Sequence, residues 1–138
     1  MGVRSLVIDT NAYAAFMAGD EDTVRTLQTA DRIVVGVVVL GELLAGFAAG
    51  SRRAENRRDL SAFLASPRVQ VAPASPTTAE FYAAVFAQLR RKGRPLPAND
   101  LWIAATAFEH GAPLLTRDAH FREIEGLLLA QAPEDLVP

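Results

Sequence analysis

Two hydrophobic patterns alternate along the chain. Short unbroken apolar runs have the length of buried strands, and longer stretches repeat their apolar positions at helical spacing. Val3 to Ile8 predicts a first strand. Asn11 to Met17 predicts a short helix, and "GDED" opens another that runs to about Thr29. Ile33 to Val35 predicts a second strand, and Val38 to Ala49 a helix ended by Gly50. Arg52 to Leu64 reads as a charged amphipathic helix stopped by Ser66-Pro67. "RVQVA" is a third short strand. "SPTTAEFYAAVFAQLRRKG" is a helix, with Thr77 or Thr78 as its cap, Glu80 in its first turn and Gly93 at its end. The loop "RPLPAND" leads into a helix from Asn99 to His110, closed by Gly111. "PLLT" is a fourth strand, "DAHFREI" a helical turn and "LLLAQ" a last strand.

Apolar strands alternating with helices predict one α/β domain, a parallel twisted sheet of about five short strands covered by helices on both faces. The length of 138 residues fits a single domain over residues 1–138, and 50% hydrophobic residues suffice for its core. In such sheets, sites gather at the carboxyl ends of the strands. From Ile33 to Ser51 the chain carries one charge, Glu42. A membrane span needs about 20 apolar residues, so it is the rival reading there. A carboxylate at mid-span costs roughly 2.5–3.5 kcal/mol, and Gly36 after β-branched residues suggests a break. A buried strand followed by a buried helix is the better reading.

Cysteine is absent, which excludes disulfides, thiolate metal sites and thiol nucleophiles. Asp9 interrupts the N-terminal apolar run too early for a signal peptide, so a cytoplasmic protein is expected. The net charge of −2 provides no global field for nucleic acid.

Four carboxylates stand out. Asp9 ends the first apolar run, where it suits a helix cap. Glu42 lies on a helix that is apolar all round, and Glu is almost never buried unless paired. Asp100 begins a helix beside Asn99, the natural cap, and an acid there suits the helix dipole. Asp118 follows the fourth strand, with the Thr116 hydroxyl nearby. Each of the three aspartates has a capping explanation by itself, but capping cannot explain Glu42. If all four converge, repulsion is large, about 4 kcal/mol per pair at 4 Å and an effective dielectric of 20. Oxygen ligands without Cys or a His pair then suit a hard divalent ion, Mg2+ or Mn2+. That combination points to phosphate chemistry.

"VIDTN", an isolated Glu in "VVLGELLAGF", "NDLWIAATAFEHG" and "LLTRDAHF" follow one another in this order. In that order they resemble the PIN-domain ribonucleases, especially the VapC-type toxins of toxin–antitoxin pairs, over nearly the whole chain. The resemblance implies an acidic cluster of Asp9, Glu42, Asp100 and Asp118, supported by Thr10, Asn11 and Thr116. It implies a PIN-like fold, Mg2+- or Mn2+-dependent endoribonuclease activity, a homodimer, and inhibition by a small antitoxin. Some relatives carry a further acid just after the position of Asp118; Ala119 and His120 stand there. On this reading Asp9 and Asp118 hold the principal metal and Asp100 binds it or its water shell. Glu42 orients or deprotonates the attacking water, or bridges to a second ion.

RNA also needs positive charge. "SRRAENRR" places Arg53 and Arg57 on one helix face, and "RRKGR" clusters Arg90, Arg91, Lys92 and Arg94. Each run reads either as a solvated helix face or as a contact to the RNA backbone. Arg117 is placed to approach the scissile phosphate. Tyr13 and Trp102 are stacking candidates, with a core role as the other reading of Trp102. His110 reads as structural, its cationic form suiting a helix end, and His120 as a surface residue. Three rivals remain. A Mg2+-dependent phosphatase with Asp9 as nucleophile usually wants a second Asp where Asn11 stands. A receiver-type domain wants a lysine after a late strand, and the only lysine, Lys92, ends a helix. The third is an inactive RNA-binding scaffold.

Overall fold

The computed structural model describes residues 2–136. Five strands form one parallel sheet: β1 (Ser5–Ile8), β2 (Arg32–Gly36), β3 (Val69–Ala72), β4 (Leu114–Leu115) and β5 (Leu129–Ala130). Their order is β3-β2-β1-β4-β5, so the winding reverses at β1. Six helices connect them: α1 (Thr10–Met17), α2 (Glu21–Thr29), α3 (Val37–Ala49), α4 (Arg53–Leu64), α5 (Pro76–Lys92) and α6 (Ala98–His110). The inner strands are short and apolar because helices cover both faces, whereas the edge strand β3 leaves Gln70 and Val71 exposed. Leu6, Val7, Ile8, Val34, Val35 and Leu114 are all essentially without solvent contact. Ile8 pairs with Val35 on one side and Leu115 on the other. The residues that follow, Asp9 and Thr116, therefore emerge side by side at the switch in strand order, where parallel sheets open a crevice.

Several boundaries differ from the sequence expectation. The fourth and fifth strands shrink to two residues each, and "DAHFREI" becomes a 3-10 segment, Ala119–Glu123. Helix α5 is capped by Ser75, not by Thr77 or Thr78. Pro76 explains this: it lacks an N–H and has its φ preset, so it occupies the first helical position. Thr78 completes a reciprocal capping box with Ser75, and Glu80 falls beyond the first turn. Helix α6 starts at Ala98 after Pro97, which leaves Asn99 inside the helix instead of at its cap.

The largest difference is α3. Its all-apolar composition predicted burial, but only Val39 and Leu43 are buried. Val37, Gly41, Ala45 and Ala48 face solvent along one side, at helical spacing. Gly36 sets where this helix starts. A Cβ there would come within 3.3 Å of the Thr106 hydroxyl, so the glycine lets α6 lie close against the end of β2. Among the described residues, no helix is long and apolar enough to cross a membrane.

Candidate active site

Asp9 leaves β1 and caps α1, with 2% of its surface exposed. Its Oδ1 accepts from the Ala12 N–H at 2.7 Å, and its Oδ2 accepts from the Thr116 hydroxyl. The capping reading of Asp9 is therefore correct, and it is incomplete. Thr116 Oγ1 also accepts from the Asp118 N–H at 3.0 Å, so one hydroxyl ties the ends of β1 and β4 together. Asp118 caps the 3-10 segment through the His120 N–H, at 2.9 Å. The exposed His120 ring reaches the same oxygen at 3.1 Å.

Glu42 enters from α3. Thr10 Oγ1 donates to its Oε1 at 2.6 Å, and Asn99 Nδ2 donates to its Oε2 at 3.2 Å. Two donors from two other helices thus fix a half-buried carboxylate, which explains its place on an apolar helix. Asp100 enters from the first turn of α6. These side chains border one cavity of about 130 Å3, lined by Asp9, Thr10, Asn11, Glu42, Asp100 and Asp118, with Ile103 and Phe121 as its apolar part. The structure brings all four acids, Thr10 and Asn11 to its wall, and Thr116 stands directly behind Asp9.

The electrostatics show mutual repulsion. Burial pushes the Asp9 carboxyl above its ordinary range; the Thr116 and Ala12 hydrogen bonds oppose this, and Asp118 and Glu42 add to it. Asp100 is raised chiefly by burial, then by Asp118, Glu42 and Asp9, with only His120 opposing. Negative charge faces negative charge here without a buried cation to balance it.

The donor set is all oxygen and suits Mg2+ or Mn2+. Among the described residues, no three His, Asp or Glu side chains already converge as a closed metal cage. The fit lies in charge and ligand type, and gathering the carboxylates around an ion requires rotamer changes. Mg2+ typically takes only one or two protein carboxylates and keeps waters, so it does not demand a closed cage.

A PIN domain family model matches residues 6–127. The chain belongs to the PIN domain family. This PIN domain is 33% identical over 123 residues to Ribonuclease VapC4 of Mycobacterium tuberculosis, covering 86% of this chain and 89% of that protein. Its fold superposes on the crystal structure of VapBC2 from Rickettsia felis bound to a promoter DNA fragment. There the TM-score is 0.82, with 25% identity over 91% of this chain and 97% of that one. A second match is VapBC-5, a member of the VapBC family of toxin–antitoxin systems from Mycobacterium tuberculosis. Its TM-score is 0.73, with 28% identity over 92% of this chain and 99% of the other.

Other candidates lie elsewhere in the PIN domain. Arg117 turns away from the cavity to pair with Asp20 at the start of α2, with Thr23 beside it. Arg53 and Arg57 are exposed on α4 and do not line the cavity, and Arg91 is exposed near the end of α5. Tyr13 is 3% exposed and packs edge-on against Phe63, so it is not a surface for stacking bases. Trp102 packs on Tyr82 with centroids 4.3 Å apart, its structural reading. His110 Nδ1 lies 3.3 Å from the Arg32 guanidinium. This contact joins the end of α6 to β2, in keeping with a structural role for His110. Asn99 was misread as a cap. The signal that could have corrected it was Pro97, since proline favours helix starts and a start there puts Asn99 inside the helix.

Proposed function

We propose that this PIN domain is a divalent-metal-dependent endoribonuclease and the toxin of a toxin–antitoxin pair. The observation that supports it is the cavity at the switch in strand order, where four elements each contribute one carboxylate and burial, with repulsion added, raises two of them. Such a cavity is suited to a cation and a polyanionic substrate. The relatives of this domain include a ribonuclease and a toxin–antitoxin complex.

Asp9, Asp118 and Asp100 would hold the ion, Mg2+ with Mn2+ as substitute. When bound, it lowers the pKa of water and neutralises charge developing on the phosphate. Thr116 keeps Asp9 and Asp118 in register by donating to one and accepting from the backbone of the other. Glu42 is held by Thr10 and Asn99, and each of its oxygens retains a lone pair beyond those hydrogen bonds. That lone pair orients the attacking water and takes its proton. Asn11 stands at the cavity wall and, among the described residues, donates to none of the four carboxylates, so its support of them would be through bound water. The phosphatase reading loses ground because both oxygens of Asp9 already accept hydrogen bonds, which blunts a nucleophile.

The chain acts as one nuclease domain in the cytoplasm and pairs with a small antitoxin. The exposed apolar side of α3, with Val37, Gly41, Ala45 and Ala48, suits a homodimer contact. The test is gel-resolved cleavage of RNA by purified protein in Mg2+, in Mn2+ and in chelator. Cleavage confined to the metal-containing reactions is expected. RNA left intact in both metals would favour the inactive scaffold, and cleavage undiminished by chelator would remove the metal. Light scattering showing a monomer at high micromolar concentration would remove the dimer.

A further inference from the structure

A second cavity, about 280 Å3, lies where the 93–97 loop runs into α6, the helix that also carries Asp100. Phe86, Leu89 and Arg90 form one wall, at the helical spacing that puts them on one face of α5. Gly93 ends the helix in the left-handed conformation, with φ at +67°. The chain then folds back, its Arg94 N–H bonding to the Leu89 carbonyl at 3.0 Å. Pro95 and Leu96 make the opposite wall, and Leu101 closes the cavity. Leu101 follows Asp100 on α6, so adjacent residues serve the two cavities. Phe86 is 47% exposed, a large aromatic at the cavity's edge without a covering element.

The charge around this cavity runs against that of the whole chain. Residues 81–99 hold Arg90, Arg91, Lys92 and Arg94 and no acid. Lys92 lies near Glu123 and Glu125. Among the described residues, Arg90, Arg91 and Arg94 have no carboxylate partner. A bare apolar slot with an aromatic edge and a cationic rim matches an unpaired nucleotide: the base stacks and the phosphate meets arginine.

We propose that the cavity between α5 and the 93–97 loop is a base-stacking subsite for single-stranded RNA. It seats a nucleotide close to the one being cut, with Phe86 against the base and Arg90 and Arg94 on the flanking phosphates. This rests on the ribonuclease reading. The walls offer almost no hydrogen-bonding groups besides Arg90, so the subsite senses that a base is present and does not read which one. It sets the register and affinity of the RNA strand, and base identity is read elsewhere.

The experiment uses the intact protein and a fluorescent single-stranded RNA oligonucleotide. Binding is followed by anisotropy in chelator, and steady-state KM in Mg2+. An abasic nucleotide is walked along the RNA. Wild type should lose about tenfold or more in affinity at one position of the walk, whichever base is removed. Phe86→Ala should lose as much on intact RNA and no longer respond to the abasic position. Arg94→Gln should weaken all sequences alike and reduce the salt slope by about one. Phe86→Ala binding intact RNA as wild type does, or still sensing the abasic site, overturns the subsite. So does its conversion of a dimer into monomers, which would make the slot a protein contact. Wild type that cuts RNA while ignoring Phe86 loses only this subsite. Wild type that neither binds nor cuts RNA loses the ribonuclease reading as well.

Discussion

Glu109 and the four acids of the cavity are set up in different ways. Glu109, near the end of α6, accepts from the Thr78 hydroxyl at 2.5 Å and from the Ser75 hydroxyl at 3.1 Å. Those two residues form the capping box of α5, so the carboxylate completes a joint between two helices. In the acidic cavity, Asp9, Glu42, Asp100 and Asp118 face one another, and repulsion adds to burial at Asp9 and Asp100. Asp9 and Glu42 have donors too, as Glu109 has, but they also face other acids. On the metal-site reading, the stability lost to that repulsion would return when a cation binds.

Substitutions should separate the two groups, and the largest effect belongs to the cavity. Asp118→Asn should lower RNA cleavage by about 10²–10⁴-fold, in the range of a group acting directly on the reaction. Circular dichroism should show an unchanged fold. Full activity in purified Asp118→Asn protein would place the chemistry elsewhere.

Metal should expose the contrast next. At one hundred times its Kd, Mg2+ should stabilise wild type by about 2.7 kcal/mol, and Asp100→Asn by clearly less. Equal gains in thermal melting would mean that Asp100 takes no part in the site. Removing the amide that holds Glu42, by Asn99→Ala, should reduce cleavage by about 10–100-fold. Asn99→Asp should not rescue it, because a second acid cannot donate.

The smallest effects carry opposite signs. Glu109→Gln leaves a poorer acceptor for two hydroxyls and should cost about 1 kcal/mol, with cleavage unchanged. In chelator at neutral pH, Asp100→Asn should instead raise the melting temperature, by roughly 2–5 °C. The sign follows from its raised carboxyl. Between the ordinary value and the raised one, the folded protein holds more protons than the unfolded chain. Stability therefore falls as pH rises through that window, and the penalty is complete above it. Across that acid range, the melting-temperature gain of apo Asp100→Asn over wild type should grow as pH rises, because Asp20, Asp31 and Glu55, lowered in both proteins, cancel in the difference. A gain that shrinks as pH rises would contradict the repulsion.

The sheet was legible because five apolar runs were too short for helices and too continuous for exposed strands. The acids were legible because Asp9 and Asp118 follow apolar strands, Glu42 interrupts an apolar helix and Asp100 opens one. What the pattern hid has physical causes. Small apolar residues give no sign of whether they are buried, so α3, with its glycines and alanines, looked like a core helix although one side is bare. Arg117 looked like a phosphate ligand because it adjoins Asp118, but its partner Asp20 lies 97 positions away, beyond local reading. Asn99 was given to the cap next door, and its true acceptor sits on another helix, 57 positions back.

Asp9 combines two duties in one side chain, and this bears on how such a protein is disarmed in evolution. Asparagine is as good a helix cap as aspartate. In Asp9→Asn its oxygen can still accept from Ala12, and its amide can donate to Thr116 where the carboxylate accepted. The sheet end and the start of α1 would survive while the charge is lost. Aspartate and asparagine codons differ by a single base, so one point mutation separates a toxin from an intact but harmless copy of itself. That copy would keep its fold and every surface away from the acidic cavity.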